Sequence, residues 1–193
     1  MIEDVLTRAA SEAHESWLKT DRQGPGRLVR ENLRYTDIAV AGRLLSAARF
    51  ETCVFTDSVL RSAHLQDAEF VRCTFDDCIL MLAKLHGALI LDSIFSDSSL
   101  AMMQAKELRI KNGSFSSCDF ERANMVGSHV ANVTFDDCTW NHADLSATRF
   151  HAVRFLSADL SGATLSGANF EDCDLSSAQL PTDHGATLLR CKL

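Results

Sequence analysis

The sequence lacks the features that mark secreted, membrane-spanning and nucleic-acid-binding proteins. No apolar run is long enough to cross a bilayer, and the N-terminus has no secretory signal pattern. No block of basic residues is present, and the formal net charge is −7. The seven cysteines are an odd number without a paired CxxC motif, which favours a reducing compartment over a disulfide framework. We therefore predict a cytoplasmic protein that binds neither membranes nor nucleic acids directly.

Motifs for catalysis are also missing. The chain has no GxSxG, no glycine-rich phosphate loop and no HExxH. The histidines are scattered, and neither the pair His64 and His86 nor the pair His129 and His151 gathers an obvious acid or nucleophile. We predict that the protein is not an enzyme and that it holds no metal and no cofactor.

What the sequence does contain is a period of five residues, shown by the segment ADLSGATLSGANFEDCDL at residues 158–175. From Leu45 to Leu180, every fifth residue is a large or branched apolar residue, with Ala105 as the one exception. The residue two places earlier is mostly small, although Arg43, Met103 and Leu108 depart from this. Six of the seven cysteines occupy this small position, where they are interpreted as small buried hydrophobic residues. Two inward residues in every five indicate a very narrow coil.

Units such as ADLSG, ATLSG and ANFED resemble the A(D/N)LXX motif of the pentapeptide-repeat family. The resemblance implies an all-β fold, a right-handed quadrilateral β-helix with four pentapeptides per coil. It covers about residues 45–180, which makes about seven coils. Weaker units centred on Leu33 and Ile38 precede them, after which the phase slips by two residues.

A coil of four pentapeptides predicts that residues 20 apart are stacked on each other. Sorting the chain at this interval separates phenylalanine from leucine. One side has Phe55, Phe75, Phe95, Phe115, Phe135, Phe155 and Leu175, and the opposite side has Leu45, Leu65, Leu85, Ala105, Met125, Leu145 and Leu165. A period of five alone does not require this separation, so it supports ladders of stacked side chains.

The ends of the chain are predicted to form separate segments around the solenoid. Residues 1–26 are predicted to be a capping helix and linker, with a helical apolar stripe of Ile2, Leu6, Ala9, Ala13 and Trp17 before the break at Gly24-Pro25-Gly26. Residues 27–180 form the β-helix, and residues 181–193 a C-terminal cap or dimerisation segment. A short helix through Leu188 and Leu189 is predicted there. The family resemblance implies a homodimer through this end, with these two leucines as candidate contacts.

The acidity of the chain is concentrated on one side of the solenoid. Residues 45–180 contain 18 acidic and 10 basic residues, a net charge of −8, and the phenylalanine side contributes −6 of it. Its acidic residues are Asp57, Asp76, Asp77, Asp97, Asp136, Asp137 and Asp174, against Arg154 alone. Four of them, Asp57, Asp77, Asp97 and Asp137, are predicted to share one column that is interrupted at Ser117. Like charges at the strand spacing repel each other, which favours a functional interpretation.

The functional hypothesis is mimicry of duplex DNA, whose strands present a negative charge about every 3.4 Å along the axis. The resemblance implies the same, because several family members bind DNA gyrase or topoisomerase IV and protect the enzyme from quinolones or other poisons. The uninterrupted register differs from many of those members, which carry inserted loops. One alternative is that each aspartate serves only a corner turn. Another is a protein-binding scaffold, such as a toxin-immunity protein, with Met81, Leu82 and Met102 as the apolar contact.

Overall fold

The computed structural model describes residues 8–23, 25–183 and 185–193. It is a β-solenoid of about eight turns with one short N-terminal helix. The helix α1 spans Arg8–Lys19, and the strands have three residues each. A nine-stranded sheet, sheet A, contains β1 (Val29–Glu31), β3 (Arg49–Glu51), β5 (Glu69–Val71), β7 (Leu89–Leu91), β9 (Arg109–Lys111), β11 (His129–Ala131), β13 (Arg149–His151), β15 (Asn169–Glu171) and β16 (Thr187–Leu189). A seven-stranded sheet, sheet B, contains β2 (Arg34–Thr36), β4 (Val54–Thr56), β6 (Thr74–Asp76), β8 (Ile94–Ser96), β10 (Ser114–Ser116), β12 (Thr134–Asp136) and β14 (Arg154–Leu156).

The register of the strands confirms the predicted coil of 20 residues. In sheet B, Phe75 pairs with Phe55 in the coil before it and with Phe95 in the coil after it, always in parallel. The other two sides of the coil are held by single parallel bridges, such as Val59 to Ile79 and His64 to Lys84. Each coil therefore has four sides, and the predicted fold class is confirmed.

The period of five arises from a corner that follows almost every side. The residue two places after each central residue has a positive φ, as at Asp57 (52°), Ser62 (56°) and Asp67 (57°). This left-handed conformation turns the chain into the next side. The corner amide remains paired, because the amide of Asp57 donates to the carbonyl of Asp76 in the next coil at 3.0 Å. Three residues in a side and two at a corner make the pentapeptide.

The aromatic ladder predicted under sheet B is present and continuous. Ring centroids from Phe55 through Phe75 to Phe95 are 4.7 and 4.4 Å apart, and the rings are nearly parallel. The stack continues with spacings of 4.7, 5.1 and 5.3 Å to Phe155. On a neighbouring side Phe120 stacks on Trp140 at 3.9 Å. The core of the rod is therefore a set of side-chain columns that fix the rise of one coil on the next.

The first coil differs from the prediction, because no phase slip occurs. Tyr35 lies directly above Phe55, and Val40 donates its amide to Val59, so both are central residues in the same phase as Leu45. Leu33 and Ile38 instead occupy the position that is small elsewhere. The solenoid consequently begins one coil earlier than residue 45, and the count is about eight turns rather than seven.

The C-terminal segment also differs from the prediction. Residues Thr187–Leu189 form the strand β16 rather than a short helix, and Asn169 pairs with Thr187. This last coil has 18 residues instead of 20, so the five-residue period of the sequence does not predict which of its residues point inward. Cys191 consequently lies in the column of Cys173, and its thiol donates to the carbonyl of Phe170 at 3.3 Å. Cys191, the one cysteine that the five-residue count leaves outside the small position, is thus brought into that position by the shorter coil.

The helix α1 packs with a different stripe from the predicted one. Ile2 and Leu6 lie outside the described residues, as does the side chain of Ala9, and Ala13 is exposed. Trp17 is buried as predicted, together with His14, which has no exposed surface. His14 accepts the amide of Leu28 at Nδ1 (2.9 Å) and donates from Nε2 to the carbonyl of Ser46 (3.0 Å). These two bonds fix a neutral imidazole between the helix and the first coils.

Acidification is expected to loosen this contact. Burial is the main cause that lowers the pKa of His14 below 6.5, although its backbone hydrogen bonds oppose the shift. The folded state therefore binds fewer protons than the unfolded state, and its stability falls as the pH drops below about 6.5. We expect the free energy of unfolding to fall between pH 7.5 and pH 5, measured by urea unfolding or by hydrogen exchange at the Leu28 amide.

The control for this prediction is His14→Gln, which retains one donor and one acceptor but does not titrate. Its stability is expected to change less between the two pH values than that of the wild type. An equal pH dependence in both proteins would contradict a role for His14.

Candidate functional site: an acidic wall beside an apolar corner

The structure places the predicted acidic column on one edge of the rod. The corners that follow the strands of sheet B carry Asp37, Asp57, Asp77, Asp97, Ser117, Asp137 and Ser157, in coil order. All of them are exposed. Asp37 belongs to this column and was not predicted, because the assumed phase slip removed it. We call the five aspartates of this column, together with Asp76 and Asp136, the acidic wall.

Corner geometry alone does not explain why the aspartates gather here. The left-handed conformation favours Asp, Asn and Gly, so each aspartate suits its position. The same conformation occurs at all four edges of the rod, however, and the other edges also accept Ala47, Thr52, Ser62 and Arg72. Aspartate is therefore tolerated at a corner but not required, and the concentration of five in one column needs another cause.

The two remaining members of the wall lie on strands of sheet B. Asp76 and Asp136 occupy the position next to the column, and both are exposed. Asp76 accepts a hydrogen bond from the hydroxyl of Ser96 at 2.6 Å. The wall therefore widens from one carboxylate per coil to two at Asp76–Asp77 and at Asp136–Asp137.

Asp174 does not belong with the other acidic residues. It lies in a different column, and its carboxylate accepts bonds from the amide and hydroxyl of Ser176 at 3.1 and 2.6 Å. These bonds, with Lys192 at 3.3 Å, lower the pKa of Asp174 to about 2. The neighbouring cation offsets its charge, so Asp174 adds little to the wall.

The wall stands on the aromatic column of the core. Each corner aspartate follows, by two residues, an aromatic residue of the stacked column, which is Tyr35 for Asp37 and a phenylalanine for the others, and the ring centroids are 4.4–5.3 Å apart. A carboxylate can thus recur at roughly the strand spacing of about 4.8 Å without any loop that would have to be ordered on binding. The arrangement is a preorganised line of negative charge.

The predicted apolar contact lies on the next edge of the rod. Leu82 (φ 61°) and Met102 (φ 54°) occupy corners of neighbouring coils, and Met81 precedes Leu82. All three are half-buried, and Ile79 beside them is 40% exposed. A long apolar residue gains nothing at a left-handed corner, where its conformation costs about 1–2 kcal/mol. We call Ile79, Met81, Leu82 and Met102 the apolar corner.

The predicted dimer contacts lie at the open end of sheet A. Leu188 packs partly against the core, whereas Leu189 is 43% exposed and Leu193 is 75% exposed. The strand β16 is the last of its sheet, and no helix covers it among the described residues. The end therefore presents an unpaired strand edge with apolar side chains, which is a surface suited to association.

Side chains of the kinds used in catalysis are mostly committed elsewhere. The six predicted inward cysteines are buried free thiols. Burial raises the pKa of Cys173 to about 11, which opposes formation of a thiolate, whereas a hydrogen bond with the Cys73 thiol lowers the pKa of Cys53 to about 7. Among the described residues, one group of potential metal ligands converges, His151, Glu171 and Asp172. Arg190 already donates to both of these carboxylates, at 2.5–2.9 Å.

The four-sided coils and their core of stacked side chains define a class of protein, the quadrilateral β-solenoid. The candidate sites described above lie on the outer faces and edges of the coils. Profiles of a pentapeptide repeat region and of pentapeptide repeats match residues 108–182 and 44–77, respectively. The chain belongs to the pentapeptide-repeat family.

Among solved structures similar to this chain, one with a TM-score above 0.5 shows the same fold. A trypsin-treated variant of QnrB1, a plasmid-mediated fluoroquinolone resistance protein, is 14% identical, with a TM-score of 0.58 over 84% of this chain and 91% of that chain. HetL of the cyanobacterium Nostoc sp. PCC 7120, a protein involved in regulation of heterocyst differentiation, is 20% identical, with a TM-score of 0.48 over 86% and 87%. None of the curated proteins compared with the chain matches it. No helix of the described residues is long and apolar enough to cross a membrane.

Proposed function

We propose that this protein is a non-catalytic mimic of duplex DNA that binds a type II topoisomerase, DNA gyrase or topoisomerase IV, in the cytoplasm and protects it from topoisomerase poisons. The observation that carries the proposal is the concentration of aspartates in one of four corner columns that share the same backbone conformation. The fluoroquinolone resistance named for QnrB1, which has the same fold, also supports it.

The physical basis of the binding is electrostatic and geometric. A groove that holds DNA is lined with basic side chains, and it attracts a line of carboxylates in the same way as it attracts phosphates. Because the wall is held by stacked coils, little conformational entropy is lost when it binds. The interaction should weaken as the salt concentration rises, since the exposed charges become screened.

The test measures binding to purified gyrase and topoisomerase IV, and supercoiling by gyrase with and without a fluoroquinolone. The variant replaces Asp57, Asp77, Asp97 and Asp137 with asparagine, which tolerates the left-handed corner while removing four charges. At low salt we expect at least a tenfold loss of affinity and a loss of protection, about 1.4 kcal/mol or more. Ser117→Asp, which fills the interruption of the column, is expected to strengthen binding.

The matched control removes four charges from other edges, by Asp67→Asn, Asp92→Asn, Glu107→Gln and Glu121→Gln. Retained binding in this control, with loss in the wall variant, supports mimicry by the wall. Equal losses in the two variants would mean that only the net charge matters. Unchanged binding after removal of the wall charges would refute the mechanism.

A second candidate function is a protein-interaction scaffold, such as a toxin-immunity protein, that binds through the apolar corner. It is supported by Leu82 and Met102, which occupy conformationally unfavourable corners and remain only half-buried. It requires a partner whose affinity is insensitive to salt and is lost in Leu82→Ser, with supercoiling unaffected. The homodimer through Leu188 and Leu189 remains part of the proposal for either function, because two copies would pair their open strand edges.

A further inference from the structure

The charge on sheet A changes along its length. In the first coils three arginines form ion pairs across the sheet: Arg49 contacts both Glu51 and Glu69, and Arg27 contacts Glu69 at 2.8 Å. Arg72 also contacts Glu51. Opposite charges in neighbouring coils stabilise such a ladder, so this half of the sheet needs no partner.

The second half of sheet A carries cations without such partners. The register stacks Arg109, His129 and Arg149 in one column, and Lys111, Ala131 and His151 in the other. All five of the basic side chains are exposed. Within the described residues, Arg109, Lys111 and Arg149 form no ion pair. We call these five side chains the basic patch. Stacked cations oppose folding, as stacked aspartates do. Within the described part of the chain, only His151 of the five lies near carboxylates, those of Glu171 at 3.8 Å and Asp172 at 3.9 Å.

A depression lies within the patch because Ala131 is small. A cavity of about 210 Å³ opens over β11 and β13, and the charged or basic residues that line it are His129, Arg149 and His151 together with Glu171 at its C-terminal side. Three of the five basic side chains therefore border one recess, while Arg109 and Lys111 lie outside it towards the N-terminus.

The surroundings of the patch limit what it can bind. Towards the N-terminus it meets Leu89 and Leu91, which are half-buried and stack directly above Arg109 and Lys111. Towards the C-terminus it meets Glu171 and Asp172, whose carboxylates Arg190 already holds. Across the corner, sheet B leads to the acidic wall. The cationic area is thus about 10 Å along the rod, two strand spacings, and about 7 Å along each strand.

We propose that the basic patch binds an acidic peptide segment of a protein partner, with an apolar side chain seated on Leu89 and Leu91. An extended peptide places alternate side chains about 7 Å apart, so its carboxylates match the two columns of the patch. A nucleic acid fits less well, because a long polyanion would continue past the small patch and meet the acidic wall. The site lies on a different sheet from the wall and does not depend on the proposed topoisomerase binding.

The experiment measures fluorescence anisotropy of a fluorescein-labelled peptide Glu-Glu-Leu-Glu-Glu at low salt, with the full-length chain. Arg109→Glu combined with Arg149→Glu is expected to weaken binding by about tenfold or more, since each change replaces an attraction with a repulsion. The matched control is Arg61→Glu combined with Arg122→Glu, two exposed arginines on another side of the rod. This control is expected to retain binding within about threefold. Circular dichroism and thermal unfolding verify that each variant is folded.

Two further probes separate the sources of negative charge and the role of the leucines. The peptide Gln-Gln-Leu-Gln-Gln is expected not to bind, and Leu89→Ser is expected to weaken Glu-Glu-Leu-Glu-Glu more than Glu-Glu-Ser-Glu-Glu. Tighter binding of a labelled 12-base-pair DNA duplex than of the acidic peptide would overturn the proposal in favour of a nucleic acid. No binding of the acidic peptide to the wild type, or equal binding to the patch and control variants, would also overturn it.

Discussion

Replacing Phe95 with alanine is expected to lower the free energy of unfolding by about 3–5 kcal/mol. Phe95 is 1% exposed, and its ring lies between those of Phe75 (4.4 Å) and Phe115 (4.7 Å). The truncation removes both stacking contacts and leaves a cavity in the middle of the rod. Coils above and below cannot close it without breaking their backbone ladders, so relaxation should recover little. A loss of this size is a large fraction of the stability of an ordinary domain.

Urea unfolding followed by circular dichroism measures this change. Phe95→Leu keeps most of the volume and is expected to cost less, about 1–2 kcal/mol. Asp97→Asn, two residues away on the surface, is expected to shift stability by less than about 0.5 kcal/mol. If Phe95→Ala were no more destabilising than Asp97→Asn, the aromatic column would not be what holds the coils together.

The same variant connects the core to the proposed function. The spacing of the wall carboxylates is inherited from the stacked rings beneath them, not from contacts between the carboxylates, which repel. A loosened coil at Phe95 should therefore weaken partner binding even though it removes no charge. Asp97→Asn has the opposite profile, with little change in stability and a partial loss of binding.

The regular part of the fold could be predicted from the sequence because one rule governs it. Vertical stacking of the coils has two consequences in the sequence. A large inward residue recurs every five positions, and residues 20 positions apart tend to be of the same type. The structure confirms this stacking directly in pairs such as Phe75 and Phe95. A chain with inserted loops would have hidden the longer interval.

The ends could not be predicted in this way because other interactions replace the rule. At the N-terminal end the central position of β1 is Arg30, and the usually small positions hold Leu33 and Ile38, so the apolar signal appears two residues early. At the C-terminal end the last coil is shorter, so Thr187 pairs with Asn169 at an interval of 18 residues that the repeat does not show. The buried side of α1 includes His14, whose burial depends on two backbone partners distant in sequence.

The candidate surfaces were predictable to different degrees for the same reason. The acidic column follows from the interval of 20, apart from Asp37. The basic patch does not follow from it. When the charges of sheet A are summed over its whole length, the acidic and basic residues cancel, and the sum hides the basic residues without ion pairs in the second half. Separating them requires knowing that Arg49 reaches Glu51 and Glu69, which is a matter of side-chain geometry.

The irregular coil around Ala105 offers the second large effect. Ala105 is the one small residue in a column where Leu85 lies above and Met125 below. Beside it Met103 and Leu108 occupy positions that are small elsewhere, and both are fully buried. Compared with the other coils, this coil has a small residue at one central position and large residues at the two small positions beside it. The interior volume is therefore filled by a different set of side chains. The departures of these three residues from the repeat are therefore one compensated change.

Ala105→Leu alone is expected to destabilise the protein by about 2–3 kcal/mol, because Met103 and Leu108 already occupy the volume that the new side chain needs. Met103→Ala combined with Leu108→Ala is expected to cost about 4 kcal/mol or more, through the cavity that it creates. The triple variant restores the ordinary pattern of the repeat and should be more stable than the sum of these losses by at least about 1 kcal/mol. Urea unfolding of the four proteins measures the coupling. If the losses in unfolding free energy were simply additive, the three side chains would not compete for the same interior volume, and the proposed compensation would be wrong.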